Sequence, residues 1–204
     1  MLNESERLER MNQLGASDMH KLFNFNNKGA QDLWAEKLGL IERPEFSNLS
    51  INAGNLLEED CLRFYFENKG VVDYELNPRV EHKDIPNFVV SLDARYNGIP
   101  VEHKTINMEK FLSLKQPEKN HIIQVNTQMA ACDSEQGIIV YSAVNDDDLK
   151  DPLNYKPSVI KQESFLIELN PELKEEIERR AKYFLWCVKY KRKPNEQHYR
   201  STLF

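Results

Sequence analysis

Ser91-Leu92-Asp93-Ala94-Arg95-Tyr96-Asn97-Gly98-Ile99-Pro100-Val101-Glu102-His103-Lys104 is the stretch on which the fold turns. Two runs rich in strand formers flank Asn97-Gly98, the dipeptide most strongly tied to a two-residue type I′ hairpin. Such a turn pairs residues whose numbers sum to 195, which sets Asp93 opposite Glu102 and Ser91 opposite Lys104. Side chains alternate along a strand, so Ser91, Asp93, Glu102 and Lys104 share one face. Leu92, Ala94, Ile99, Val101 and His103 take the other, which reads as core.

Directly opposed carboxylates repel each other across a ladder. A divalent cation removes the conflict, and hard oxygen ligands suit Mg²⁺ or Mn²⁺. A lysine beside them can orient a water nucleophile or stabilise charge developing on phosphorus, the chemistry of metal-assisted phosphodiester hydrolysis. The plain alternative is a solvated charge ladder. Acid-x-Lys occurs five times, at Glu67, Glu81, Glu102, Asp148 and Glu172. Only at Glu102 does a well-signalled hairpin bring an aspartate opposite; at Glu81 a turn at Asn77-Pro78 would pair Asp73 with His82, on the wrong face.

Outward from the hairpin, helical periodicity predicts a short charged helix over 4–13, then one through about Phe23 capped by Ser17 and Asp18. Further helices follow at Gln31–Leu38 and Asn48–Lys69. Period-two patterning marks strands at Val71–Leu76, Phe88–Tyr96 and Ile99–Ile106. A helix over Glu118–Cys132 leads to a buried strand at Gly137–Val144, a polar loop over Asn145–Ser158 and an edge strand at Val159–Leu169. Pro171 opens the last helix. The class is α/β, one domain over 1–204 with a mixed central sheet flanked by helices.

The chain has 204 residues, 40% hydrophobic, enough for a sizeable core and too many for a disordered chain. Its longest apolar stretch, Gly137–Val144, is too short to cross a bilayer, which argues against a membrane protein. The acidic N-terminus does not fit a secretory signal peptide. Three widely spaced cysteines support neither a disulfide scaffold nor a cysteine-held metal, so a reducing cytoplasm is the expected setting. Net charge is −6, but seven basic residues and no acid lie between Arg179 and Lys193. This local stripe permits polyanion binding without requiring it.

Asp93-x8-Glu102-x-Lys104 resembles the signature of PD-(D/E)xK nucleases, and more narrowly of lambda-phage-type exonucleases, also called YqaJ-like viral recombinases. Leu14-Gly15-Ala16-Ser17-Asp18 is similar to that family's N-terminal alanine-serine motif, with Arg10 seven residues before Ser17. Leu33-Trp34-x-Glu36-Lys37-x-Gly39, Gly54-x3-Glu58 and Gln124-x3-Gln128-Met129 resemble three further family segments, in order. Together they span about residues 10–132. The sequence departs from the family at Asn126, where a second glutamine is usual, and at Leu92, where proline is usual.

The resemblance implies a restriction-endonuclease-like catalytic core over about 10–145, followed by a strand and basic helix over 159–193. It implies Asp93, Glu102, Glu58 and the His103 carbonyl as metal ligands, with the His103 imidazole in the core. Lys104 would be the catalytic lysine, and Gln124, with Gln128 one turn on, would hold Lys104 or a water. Gly54 would let the helix of Glu58 approach the sheet closely, whereas pattern alone leaves Glu58 an exposed acid beside Glu59 and Asp60. Arg10, Ser17 and Ser91 would hold a 5′-terminal phosphate. The expected activity is Mg²⁺-dependent 5′→3′ digestion of double-stranded DNA ends for phage-type recombination in the bacterial cytoplasm. The expected assembly is a ring-shaped homotrimer with a single-strand annealing protein as partner. An endonuclease of the same fold would not need the phosphate pocket, and a non-catalytic DNA-binding protein would not need the four residues Glu58, Asp93, Glu102 and Lys104. Iron–sulfur relatives of the fold need four cysteines.

Overall fold

The hairpin forms in the predicted register. In strands β4 (Ala94–Tyr96) and β5 (Ile99–Asn107), Ala94 faces Val101 and Tyr96 faces Ile99. Asn97 and Gly98 take φ of 50° and 79°, the two left-handed residues that a type I′ turn requires. The computed structural model describes residues 11–23, 28–41 and 49–195. The expected helix at 4–13 falls largely outside them.

The remaining elements are α1 (Ala16–Leu22), α2 (Lys28–Lys37), α3 (Leu49–Asn68), β1 (Glu75–Leu76), β2 (Arg79–Glu81) and β3 (Val89–Ser91) before the hairpin. After it come α4 (Met108–Ser113), α5 (Lys119–Cys132), β6 (Gln136–Val144), α6 (Asp146–Lys150), β7 (Gln162–Glu168) and α7 (Pro171–Lys189). One sheet runs β1-β4-β5-β6-β7, with β5 and β6 parallel and the other pairs antiparallel. The parallel pair needs a crossover, which α4 and α5 supply. The class is the mixed α/β arrangement expected, with β7 at the edge.

The Phe88–Tyr96 run does not form one strand. It breaks at Leu92-Asp93, and β3 leaves to pair with β2 in a separate two-stranded sheet, Arg79 facing Ser91. The Leu92 N–H bonds to the Pro78 carbonyl and the Asn77 N–H to the Asp93 carbonyl, so residues 75–81 stay alongside 89–95 on the edge away from β5, while the ladder to β5 stops at Ala94 and Val101. Ser91 is therefore not the ladder partner of Lys104. For the same reason the Asn77-Pro78 bend joins two sheets and pairs no Asp73 with His82, and Val71–Leu76 yields only the two-residue β1. The predicted polar loop contains α6, closed by an Asn145/Asp148 capping box.

The main core lies between α1, α2, α5, α7 and the small sheet, joining Leu14, Met19, Leu22, Leu33, Phe88, Val90 and Ile123 to Leu173, Ile177 and Phe184. A second cluster packs Leu62 and Phe66 of α3 against Ala94, Val101 and Val140 on the sheet. Among the described residues, no helix is long and apolar enough to cross a membrane.

Candidate active site

Two backbone bonds, Leu14 N–H to the Asn87 carbonyl and Val89 N–H to the Leu14 carbonyl, dock the segment before α1 beside β3. That places Gly15 to Asp18 near Ser91. On the other side, α3 presses against β5: a Cβ on Gly54 would stand 3.0 Å from Thr105 Oγ1. One turn further along α3, Glu58 is brought to the polar face of the hairpin. The result is a cavity of about 430 Å³ lined by Ser17, Glu58, Ser91, Asp93, Glu102, Lys104 and Gln124, with Gln13, Asp18, Lys37 and Arg79 beside them.

Glu102 is the hub and is 1% exposed. One carboxylate oxygen accepts from Lys104 Nζ and, at 2.5 Å, from Gln124 Nε2; the other accepts from Gln128 Nε2. Asp93 Oδ2 accepts the His103 backbone N–H at 2.7 Å. Burial, then Glu102, pushes the Glu58 carboxyl up to about 7. Burial, Glu102 and Glu58 hold Asp93 well above the usual carboxylate range. Lys104 is shifted upward: burial opposes its charge, but Glu102 and Asp93 outweigh burial, so it is an ammonium and not a base.

Glu58, Asp93 and Glu102 thus stand within each other's fields in a shielded pocket, an arrangement that a divalent cation would relieve. Their hard oxygens fit Mg²⁺ or Mn²⁺. Among the described residues, no three His, Cys, Asp or Glu side chains converge as a preassembled cage, Glu102 being turned to Lys104, Gln124 and Gln128.

The family model of the YqaJ-like viral recombinase domain matches residues 7–135, which holds every one of these cavity residues. The chain belongs to the YqaJ-like viral recombinase family. Membership supports a nuclease role. An alkaline exonuclease (LHK-Exo) from Laribacter hongkongensis, solved in complex with dAMP, superposes with TM-score 0.75 at 22% identity, covering 93% of this chain and 94% of that one. A phage-related exonuclease from Haemophilus somnus 129PT gives TM-score 0.63 at 18% identity, over 88% and 96% of the two chains. At these identities the likeness is one of fold, the PD-(D/E)xK type. No curated protein matches the chain in sequence.

Of the residues expected in the YqaJ-like site, Glu58, Asp93, Glu102, Lys104, Gln124, Ser17 and Ser91 line the one cavity. Arg10 lies outside the described residues. The His103 imidazole points to Ser142 at 2.9 Å on β6, and burial, then Lys104, lowers its pKa to about 3, so it stays neutral. Ser17 and Asp18 do not cap α1: the N-cap is Gly15, without a side-chain bond, and both residues sit inside the first turn. Asp18 instead pairs with Lys37 at 3.1 Å, both nearly buried. Gln128, which pattern alone could equally put on the surface, is fully buried. Asn126, where the family usually has glutamine, donates to the Ile122 carbonyl and accepts the Asn170 N–H, a structural task.

Arg79, Lys37 and Gln13 escaped the sequence reading as site residues. Lys37 had a signal, its place in the Leu-Trp-x-x-Lys-x-Gly segment. Arg79 had none, because it meets Ser91 only through the β2–β3 pairing; its guanidinium donates to Gln13 Oε1 at 2.8 Å.

Proposed function

We propose that the chain is a Mg²⁺-dependent 5′→3′ exonuclease, with Mn²⁺ able to substitute, that digests one strand of linear double-stranded DNA and leaves 3′ single strands for phage-type recombination. The observation that carries this reading is the shared cavity: acids, lysine and two serines meet in a single space. Asp93, Glu102, Glu58 and the His103 carbonyl would hold the cation. When bound, it supplies Lewis-acid charge to the phosphate and lowers the pKa of the attacking water.

Lys104, an ammonium held by Glu102, lends positive charge where negative charge grows on the phosphoryl oxygens. Gln124 and Gln128 fix the Glu102 carboxylate and so the position of Lys104. The water oxygen bonds to phosphorus, the P–O3′ bond breaks, and the leaving O3′ takes a proton. A 5′-mononucleotide departs and the shortened strand starts with a new 5′-phosphate. Arg10, Ser17 and Ser91 would hold that phosphate, since a guanidinium and hydroxyls match its oxygens and its extra charge. Each turnover thus regenerates the group that the pocket binds. The dAMP bound by the Laribacter protein is a mononucleotide of this kind. The same reading includes one domain over the whole chain, a homotrimeric ring, a single-strand annealing partner and a cytoplasmic setting.

The test is a time course on linear and covalently closed duplex DNA with Mg²⁺. Mononucleotide release from the linear form alone is the expected result. Rapid cutting of closed circles would replace this reading with an endonuclease.

A further inference from the structure

The basic stripe lies on α7 and the residues just after it, and none of these lines the cavity. The helix buries Leu173, Ile177, Arg180, Ala181, Phe184, Cys187 and Val188. Its outer face carries rings. Trp186 is 49% and Tyr190 55% exposed. The Tyr183 and Trp186 rings lie 6.3 Å apart with planes 15° from parallel, and Tyr190 follows 5.4 Å from Trp186. Scattered exposed aromatics are ordinary; Trp186 and Tyr190 in contact, backed by the half-buried Tyr183 that also packs on the main core, form a continuous platform.

Cations flank that platform. Lys189 Nζ stands 5.5 Å from the Tyr190 ring centroid, and Lys191, Arg192 and Lys193 are exposed just beyond. Arg179 and Lys182 pair with Glu176 and Glu178. Lys189, Lys191, Arg192 and Lys193 have no carboxylate partner among the described residues. The nearest acid on the helix, Glu178, lies about three turns before Lys189.

We propose that this outer face of α7 binds single-stranded DNA, the bases stacking on Trp186 and Tyr190 and the phosphates pairing with Lys189 and the 191–193 cluster. Rings and cations in alternation match a chain that alternates bases and phosphates. A duplex keeps its bases stacked on each other and offers the rings no face. A two-fold interface centred on the 191–193 cluster would set it against its own equivalent, an unfavourable match of charge. The choice of DNA over RNA rests on the exonuclease reading, whose product strand is single-stranded DNA.

The experiment measures binding of the full chain, in excess chelator so that nothing is cut, to a labelled oligothymidylate of roughly 20 nucleotides, longer than the usual stacking site. A blunt duplex serves as comparison. Trp186→Ala with Tyr190→Ala should weaken oligothymidylate binding roughly tenfold or more, with duplex binding unchanged. Trp186→Phe, which keeps a ring, should retain most of the affinity. Equal oligothymidylate affinity in wild type and double variant would overturn the proposal. So would an equal loss on duplex, or a change of oligomeric mass without a change in affinity, which would make the face an interface between copies. Ring-dependent strand binding by a chain that digests no linear duplex would sink the exonuclease reading and leave this surface standing.

Discussion

The Asp93 carboxylate accepts the backbone N–H of His103 across the point where the β4–β5 ladder ends. A side chain there does the work of a missing backbone carbonyl. The bond anchors the acid against β5 beside Glu102, although both are carboxylates and one field raises the proton affinity of the other. Such an arrangement costs stability for as long as no cation compensates it.

Mg²⁺ or Mn²⁺ should therefore raise the melting temperature of wild type. At a cation concentration a hundred times the dissociation constant, the gain is about 2.7 kcal/mol. Asp93→Asn and Glu102→Gln should abolish the shift and reduce cleavage by more than about a hundredfold. Asp93→Asn should melt no lower than wild type in chelator, since it removes a carboxyl whose ionisation burial, Glu102 and Glu58 disfavour. A full cation-induced shift in both variants would place the ion elsewhere.

Glu58 sets a pH dependence. Its carboxyl titrates near 7 in the folded chain against an ordinary 4.5. Between those values the folded state binds more protons than the unfolded state, so stability falls as pH rises through that window. Denaturant titrations in chelator should show wild type losing stability from about pH 4.5 to 7 more steeply than Glu58→Gln. Saturating Mg²⁺ should flatten the difference, because an ion held by Glu58 takes the place of the proton. Parallel slopes for both proteins would mean that Glu58 is solvated.

The two cavity serines should govern end recognition. Linear duplex with 5′-phosphates should be digested faster than duplex with 5′-hydroxyls. Ser17→Ala and Ser91→Ala should each shrink that preference by roughly tenfold, the worth of one hydrogen bond to a charged group. Arg10→Ala should do the same, with the cation-induced melting shift intact in all three. A preference unaffected by these changes would remove the pocket assignment alone.

What the sequence made legible followed local rules. Asn97-Gly98 dictates its own turn, and the turn dictates the register that sets Asp93 by Glu102. Gly54 signals the close approach of α3, and Gln124 and Gln128 share a helix face. What stayed hidden depends on contacts between distant segments. Nothing local reveals that the chain changes sheets between Ser91 and Ala94, so the Ser91–Lys104 pairing failed while both residues still reached the same cavity. Arg79 meets Ser91 through that same switch. Asp18 looked like a cap because Ser-Asp before an apolar run usually is one; Lys37, at the end of the next helix, claims it instead.

Arg180 is 1% exposed in α7. It is paired with Glu176 at 2.6 Å, donates to the Leu22 carbonyl at the end of α1, and has its guanidinium 4.2 Å from the Phe23 ring centroid. The helix that begins well after the matched family segment thus fastens the element that carries Ser17 and Asp18. A protein shortened to residues 7–135 would keep every cavity residue yet lose the cation that terminates α1, and with it Leu173, Ile177 and Phe184 from the main core. The recognisable part of this chain is therefore not a portable cassette. Fusions, grafts and minimal versions must carry α7 along, even though no atom of that helix faces the chemistry.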